Sequence, residues 1–255
     1  MFEEERKQKI VQYVQEHLRA SVQELSYLFN VSESTIRRDL KELEDAKLIK
    51  RTHGGAVSLE SVNFEPTFIE KEDKFKNEKE KIAKKASEFI QKGDTILIDS
   101  GTTTLYLAKE LKKVSDITVV TNSIIIAYEL QTQDNIEIVI IGGTLRKNTR
   151  ALVGPISEYA LNMLRVDKAF IATNGIDVEE GLTTPNIIEA ATKRKMIEIS
   201  KETILLADHS KVGKVSFAQF ADISDIDKWV TDEKVEANII SRIENKGTTI
   251  YIANY

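Results

Sequence analysis

Apolar residues recur at helical spacing from the start of the chain. Ile10, Val11, Val14 and Leu18 share one face, so residues 3–18 are expected to form an amphipathic helix. Ser21 and Glu24 stand at capping-box spacing ahead of a second stripe, Val22, Leu25, Leu28 and Phe29. Asn30 tolerates the left-handed region and predicts a sharp turn. Ser32 then predicts the N-cap of a third helix, with Val31 and Ile36 placed for a hydrophobic staple. In that helix Ile36, Leu40 and Leu43 point inward. Ser34, Arg37, Arg38 and Lys41 share another face, interrupted by Asp39. The following LIKRTHGGAV reads as a β-hairpin, in which Gly54 and Gly55 supply turn conformations closed to other residues. Helix, helix, turn, helix and hairpin make a winged helix-turn-helix over residues 1–58.

Both periodicities break over residues 59–76, where Pro66 and many charges predict an irregular inter-domain linker. Its apolar members, Phe64, Phe68, Ile69 and Phe75, are expected to pack on a neighbouring surface. From residue 77 to 255, helical runs alternate with short β-branched runs: TILIDS, ITVVTN, IEIVIIGG, KAFIATNG, TILLADHSK, DKWVTD and TTIYIAN. That alternation predicts a three-layer α/β domain with a mainly parallel sheet.

Composition narrows the function classes. The apolar runs are too short to span a bilayer, which takes about 20 residues. The charged start MFEEERKQKI lacks the apolar core of a signal peptide. There is no cysteine, and the three histidines lack metal-ligand spacing, so neither disulfide, metal nor cofactor is expected. A cytoplasmic location fits these features. The formal net charge of -5 gives a nucleic-acid reading no help. Residues 1–58 carry ten Lys+Arg and ten Asp+Glu, so any DNA-binding face must arise by sorting charge to one side. The N-terminal half of the third helix does this. Arginine can bond guanine bidentately, and hydroxyls reach bases or phosphates.

In the second domain, candidate chemistry gathers after the predicted strands. Asp99-Ser100-Gly101-Thr102-Thr103-Thr104 opens a helix, where free N–H groups and the dipole favour a phosphate. Asn122, Gly142-Gly143 with Arg146, Asn174-Gly175 and Asp208 with Lys211 follow other strands. Ligands bind at this edge of open α/β sheets. Each fragment has a plainer reading: a cap, a turn, or, for Glu189 and Lys193, a surface i, i+4 pair. Together they suggest a small anionic ligand.

These residues carry a family resemblance. Glu5-Arg6, VQEL, VSESTIRRDLKELE and RTHGGA resemble the DNA-binding domain of DeoR-type bacterial transcriptional regulators. IDSGTTT, TNS, GGTLR, GPISEYAL, KAFIATNGID, GLTT, EAATKRKM and LLADHSKVG are similar to the sensor domain of the same regulators. One departure is Asp45-Ala46-Lys47, where the family often has a glycine. The resemblance implies a sensor fold like ribose-5-phosphate isomerase and a phosphorylated-sugar effector. It implies that Ser34, Thr35, Arg37 and Arg38 lie at operator DNA with Lys50, Arg51 and His53 flanking it, and Ser32 and Lys41 of the same helix are DNA-binding candidates beside them. Gly101, Thr102, Thr103 and Thr104 would hold the phosphate, with Asp99 and Ser100 among the effector-binding residues beside them. Asn122, Gly143, Arg146, Asn174, Gly175, Glu189, Lys193, Asp208 and Lys211 would line the sugar end or its neighbourhood.

The expected function is repression of a sugar catabolic or transport operon, acting as a homo-oligomer, dimer or tetramer, on double-stranded DNA. A phosphorylated sugar would release it, fructose 1-phosphate being the first candidate because fructose operon repressors are a common branch of the family. The alternative is an aldose–ketose sugar-phosphate isomerase with a DNA-binding appendage, using Asp208, Glu189 or Asp99 as base. The N-terminal module argues against that, and no catalytic residue is assigned.

Overall fold

The computed structural model describes residues 2–58, 65–111 and 114–254. The chain divides into two units, Met1–Phe64 and Glu65–Tyr255.

In the first unit, α1 (Glu3–His17) is followed by β1 (Arg19–Ser21), α2 (Val22–Phe29), α3 (Glu33–Asp45), β2 (Lys50–Thr52) and β3 (Gly55–Val57). The expected caps are in place. Ser21 Oγ accepts from Glu24 N at 3.1 Å while Ser21 N donates to the Glu24 carboxylate at 3.2 Å. Asn30 is left-handed, and Ser32 Oγ accepts from Thr35 N at 3.2 Å. Ile10, Val14, Leu25, Ile36, Leu40 and Ile49 form the core. Leu28 stays exposed, and Leu18 lies just past α1 as its left-handed cap.

The wing gains a third strand, in the order β1-β3-β2. This changes the reason for the glycine pair. Neither Gly54 nor Gly55 has positive φ. Instead, a Cβ on Gly55 would lie 2.0 Å from Ala20 O on β1, so strand pairing itself demands glycine there.

In the second unit, α4 (Phe68–Glu72) and α5 (Lys76–Ser87) precede β4 (Thr95–Ile98), α6 (Thr102–Glu110), β5 (Ile117–Thr121), α7 (Ile124–Leu130) and β6 (Ile136–Ile140). Next come β7 (Thr144–Arg146), β8 (Ala151–Val153), α8 (Pro155–Asn162), β9 (Val166–Ile171), β10 (Gly175–Asp177), β11 (Gly181–Thr184), α9 (Ile187–Glu198) and β12 (Ser200–Leu206). The unit closes with β13 (Ala218–Ala221), β14 (Lys228–Asp232), α10 (Ala237–Glu244) and β15 (Thr249–Ala253). The main sheet runs β15-β14-β12-β9-β4-β5-β6, and every neighbouring pair is parallel. Two antiparallel additions, β7-β8 and β10-β11-β13, lie outside the expected alternation.

The pleat sorts the strands into two cores. Leu97, Ala169, Ile171 and Leu205 face one side with α9 residues Ala190 and Met196. Ile96, Ile98, Phe170, Ile204 and Leu206 face the other with Ile82 of α5 and Leu105 of α6. Buried on both faces, such strands read as near-continuous apolar runs.

The expected linker is partly built into this unit. Residues 65–76 contain α4, which starts two residues after Pro66. Thr67 and Glu70 form its capping box. Phe68 is buried and its N–H donates to Asn148 O at 2.7 Å. Ile69 and Phe75 are exposed, and Phe64 lies outside the described residues. Lys112 and Lys113, expected to continue α6, also lie outside them. No described helix is long and apolar enough to cross a membrane.

Candidate functional site

The recognition face is set by what α3 buries. Asp39 does not interrupt it. That carboxylate is fully buried and takes two hydrogen bonds from Arg6 of α1, Nε at 2.6 Å and an Nη at 3.0 Å. The pairing holds the Arg6 guanidinium above its ordinary pKa, against the cost of burial. Glu42 pairs with Lys7 at 2.5 Å, and Glu44 accepts from Arg51 N at 2.9 Å. With those acids occupied, Ser34, Arg37, Arg38 and Lys41 stand exposed on one side. Ser32 is exposed too, although its hydroxyl is already shared with Ser34 and Thr35 at 2.8 Å each. Thr35 is half-buried, and Arg37 holds Glu33 at 2.6 Å. On the wing, Lys50 and Arg51 are half-buried and His53 is exposed. A helix-turn-helix unit thus presents a cationic, hydroxyl-bearing helix and wing although residues 1–58 carry no net charge.

The second unit has its switch point between β4 and β9, where the strand order reverses direction. Asp99 follows β4 and Ala172 follows β9. Lys193 of α9 bridges them, donating to Asp99 Oδ2 and, at 2.9 Å, to Ala172 O. Asp99 Oδ2 also accepts from Ala172 N at 3.1 Å. Asp99 and Lys193 are both buried. A chain of alternating charge leads outward from this pair. Lys193 lies 4.0 Å from Glu189, Glu189 accepts from Arg146, and Arg146 is gripped by Glu65 at 3.1 and 2.7 Å. Glu189 and Lys193 are therefore a buried pair, not a surface one.

The loop after β4 hugs β9, since a Cβ on Gly101 would fall 2.7 Å from that of Ala172. Gly101 caps α6 without a side chain, leaving the first-turn N–H groups of Thr102 and Thr103 for an anion. Thr104 differs from its neighbours. Its hydroxyl donates to Asp99 O at 2.6 Å and is fully buried, so it shapes the loop. Asn122 is also committed, accepting from Ser100 N and donating to Leu152 O, both at 3.1 Å. A Cβ on Gly143, where φ is +149, would fall 2.1 Å from Ser157 Oγ, so this glycine too serves packing. Asn174 accepts from Thr184 at 3.3 Å, and a Cβ on Gly175 would meet Lys214 O at 2.2 Å. Thr104, Asn122, Gly143 and Gly175 help to build the edge, and Asn174 joins it through its Oδ1.

Free groups do exist. Asp99 Oδ1, Ser100 Oγ, Asp208 Oδ2 and Thr231 Oγ1 are buried with no partner among the described residues. Such oxygens are costly unless something completes them. Cations surround them. Burial pushes the Lys71 ammonium below its ordinary pKa, opposed by Glu189 and Glu65 and reinforced by Lys193 and Arg146. Burial likewise lowers Lys211, opposed by Asp208. It pulls Lys79 down to about 8, where Asp208 opposes and Lys211 and Lys71 add to the fall. Lys71 thus lies within electrostatic reach of both the Glu189 chain and the Asp208 end. Two of these cations escape a reading of the sequence. Lys71 lies in the segment expected as linker, Lys79 lies in the helix after it, and no motif marks either.

Two family models match this chain. Residues 6–62 match the DeoR-like helix-turn-helix domain, and residues 74–233 match the DeoR C terminal sensor domain. The chain belongs to the DeoR family. Its relatives include the HTH-type transcriptional regulator GlpR of Haloferax volcanii, 44% identical over 98% of both chains. The regulator FruR of Bacillus subtilis is 42% identical, covering 91% of this chain and 92% of its own. The transcriptional repressor GlcR of Bacillus subtilis is 37% identical over 99% and 97%. Ribose 5-phosphate isomerase A of Methanocaldococcus jannaschii overlays 54% of this chain and 54% of its own, at TM-score 0.40 and 18% identity. In DeoR-family terms, the first unit is the DNA-binding domain and the second the sensor.

Proposed function

We propose that this DeoR-family chain represses a sugar catabolic or transport operon and is released from its operator by a phosphorylated sugar. One observation carries the effector half. Unpartnered buried oxygens of Asp99, Ser100 and Asp208 sit at the carboxyl edge of a parallel sheet, among Lys71, Lys79, Lys193 and Lys211. Carboxylates suit sugar hydroxyls, whereas lysines and the open start of α6 suit a phosphate. The regulator names of full-length relatives support the DNA half and weigh against the isomerase alternative.

Ser34, Thr35, Arg37, Arg38 and Lys41 meet the operator, with Ser32 holding the helix start and Lys50, Arg51 and His53 meeting flanking phosphates. Two copies in a homo-oligomer place two such helices on paired half-sites. The effector acts by preferring the state that does not bind DNA. Fructose 1-phosphate is the first candidate. Thermal shift against a panel of sugar phosphates and their parent sugars tests this. A rise with one phosphate and none with its parent is expected, and Thr103→Ala, which removes the hydroxyl but keeps the N–H, should reduce it. Equal shifts with phosphate and parent would overturn the phosphate reading.

A further inference from the structure

Glu65 is the first residue of the sensor unit, at the boundary with the first unit. Its side chain is 8% exposed and accepts two hydrogen bonds from Arg146. Asn148 adds a third at 3.2 Å. A buried carboxylate on a guanidinium fork is an anion already seated in a cationic site. That guanidinium also holds Glu189, beside the Lys193–Asp99 pair of the effector edge. The segment behind Glu65 is tied to the same place. Phe68 N donates to Asn148 O, and the Lys79 ammonium donates to the carbonyls of Lys71 and Glu72.

We propose that Glu65 is a built-in competitor for Arg146, displaced when an anionic effector binds, so that occupancy of the strand edge unseats the segment leading to the DNA-binding unit. This rests on the effector reading of the strand edge. Arg146 cannot give its fork to Glu65 and to a phosphate at once. Lys193, on α9 and outside the displaced segment, provides a cation that remains beside Arg146 for the incoming anion. An effector then favours the unseated state, and by linkage anything that unseats Glu65 favours the effector.

Inorganic phosphate is the probe, used on the full chain. In the wild type, phosphate should speed hydrogen exchange at the Phe68 amide. Glu65→Gln should show fast exchange without phosphate and bind phosphate at least about fivefold tighter, because the competing buried carboxylate is gone. Glu65→Asp keeps the charge but not the reach, and should fall between the two. Phosphate binding that Glu65→Gln does not strengthen overturns the competition while the effector reading stands. Slower Phe68 exchange with phosphate also overturns it. Absence of phosphate binding in both proteins removes the competition and the anion site together.

Discussion

Arg6 on α1 and Asp39 on α3 form a buried, two-bond ion pair, at 2.6 and 3.0 Å, that fixes the recognition helix to the first helix of the chain. Removing one partner of such a pair leaves the other charge stranded, costing roughly 3–5 kcal/mol. Arg6→Met should therefore lower the stability of the DNA-binding unit by about that amount in urea unfolding. Arg6→Met combined with Asp39→Leu should recover much of the loss. A loss as large in the double variant as in the single would show that the pair itself, rather than the stranded charge, sets the cost.

Lys47 supplies a second stability test. It sits left-handed, φ +58, just past α3. Its N–H meets Glu44 O at 2.8 Å and that of Leu48 meets Leu43 O at 2.9 Å, a Schellman ending. It is the last residue of Asp45-Ala46-Lys47, the stretch in which the family often has a glycine. Lys47→Gly should stabilise the unit by roughly 0.5–1 kcal/mol, since the native backbone there strains any side chain. A lower melting point for this variant would contradict the reading.

On the exposed face of α3, Arg37→Gln and Arg38→Gln should each weaken operator binding about tenfold or more without changing the fold. Fluorescence anisotropy at several salt concentrations separates their roles. A variant that lowers the salt slope by about one has lost a phosphate contact, and one that relaxes sequence preference has lost a base contact. Wild-type affinity in both variants would move the DNA face elsewhere.

The cations of the sensor edge predict a pH effect. Lys79 titrates near 8 in the folded chain, below its ordinary 10.5, because burial disfavours its charge. Between those values the unfolded chain binds more protons than the folded one, so this group adds stability as pH rises from about 8 and is constant below it. The stability of wild type relative to Lys79→Met should therefore grow between about pH 7.5 and 9.5. A gap independent of pH would show that Lys79 is not buried as described.

Much of this was legible in the chain. Strand runs such as TILI and KAFI announced a parallel sheet because both faces are covered, and caps at Ser21 and Ser32 followed from local chemistry. What escaped depends on tertiary placement. Asp39 is a charge on a helix, and only packing against Arg6 turns it inward. The three-residue strands β7, β8 and β10 are too short to show alternation. Pro66 suggested an irregular linker, yet Thr67 caps a helix immediately after it. Lys71 and Lys79 carry no motif, because their chemistry arises from burial beside Asp208 and Glu189. Asn122 and Gly143 follow strands, as the sequence shows, but their structural part in the edge, through hydrogen bonds to Ser100 and Leu152 and packing on Ser157, depends on tertiary contacts.

The most direct measurement is binding of the full chain to its own promoter fragment, by anisotropy, with and without each sugar phosphate. Saturable binding that one phosphorylated sugar weakens at least about tenfold, while its parent sugar does nothing, is the expected result. Binding that no sugar phosphate alters, or no preference for the promoter over unrelated DNA, would contradict a sugar-phosphate-controlled repressor.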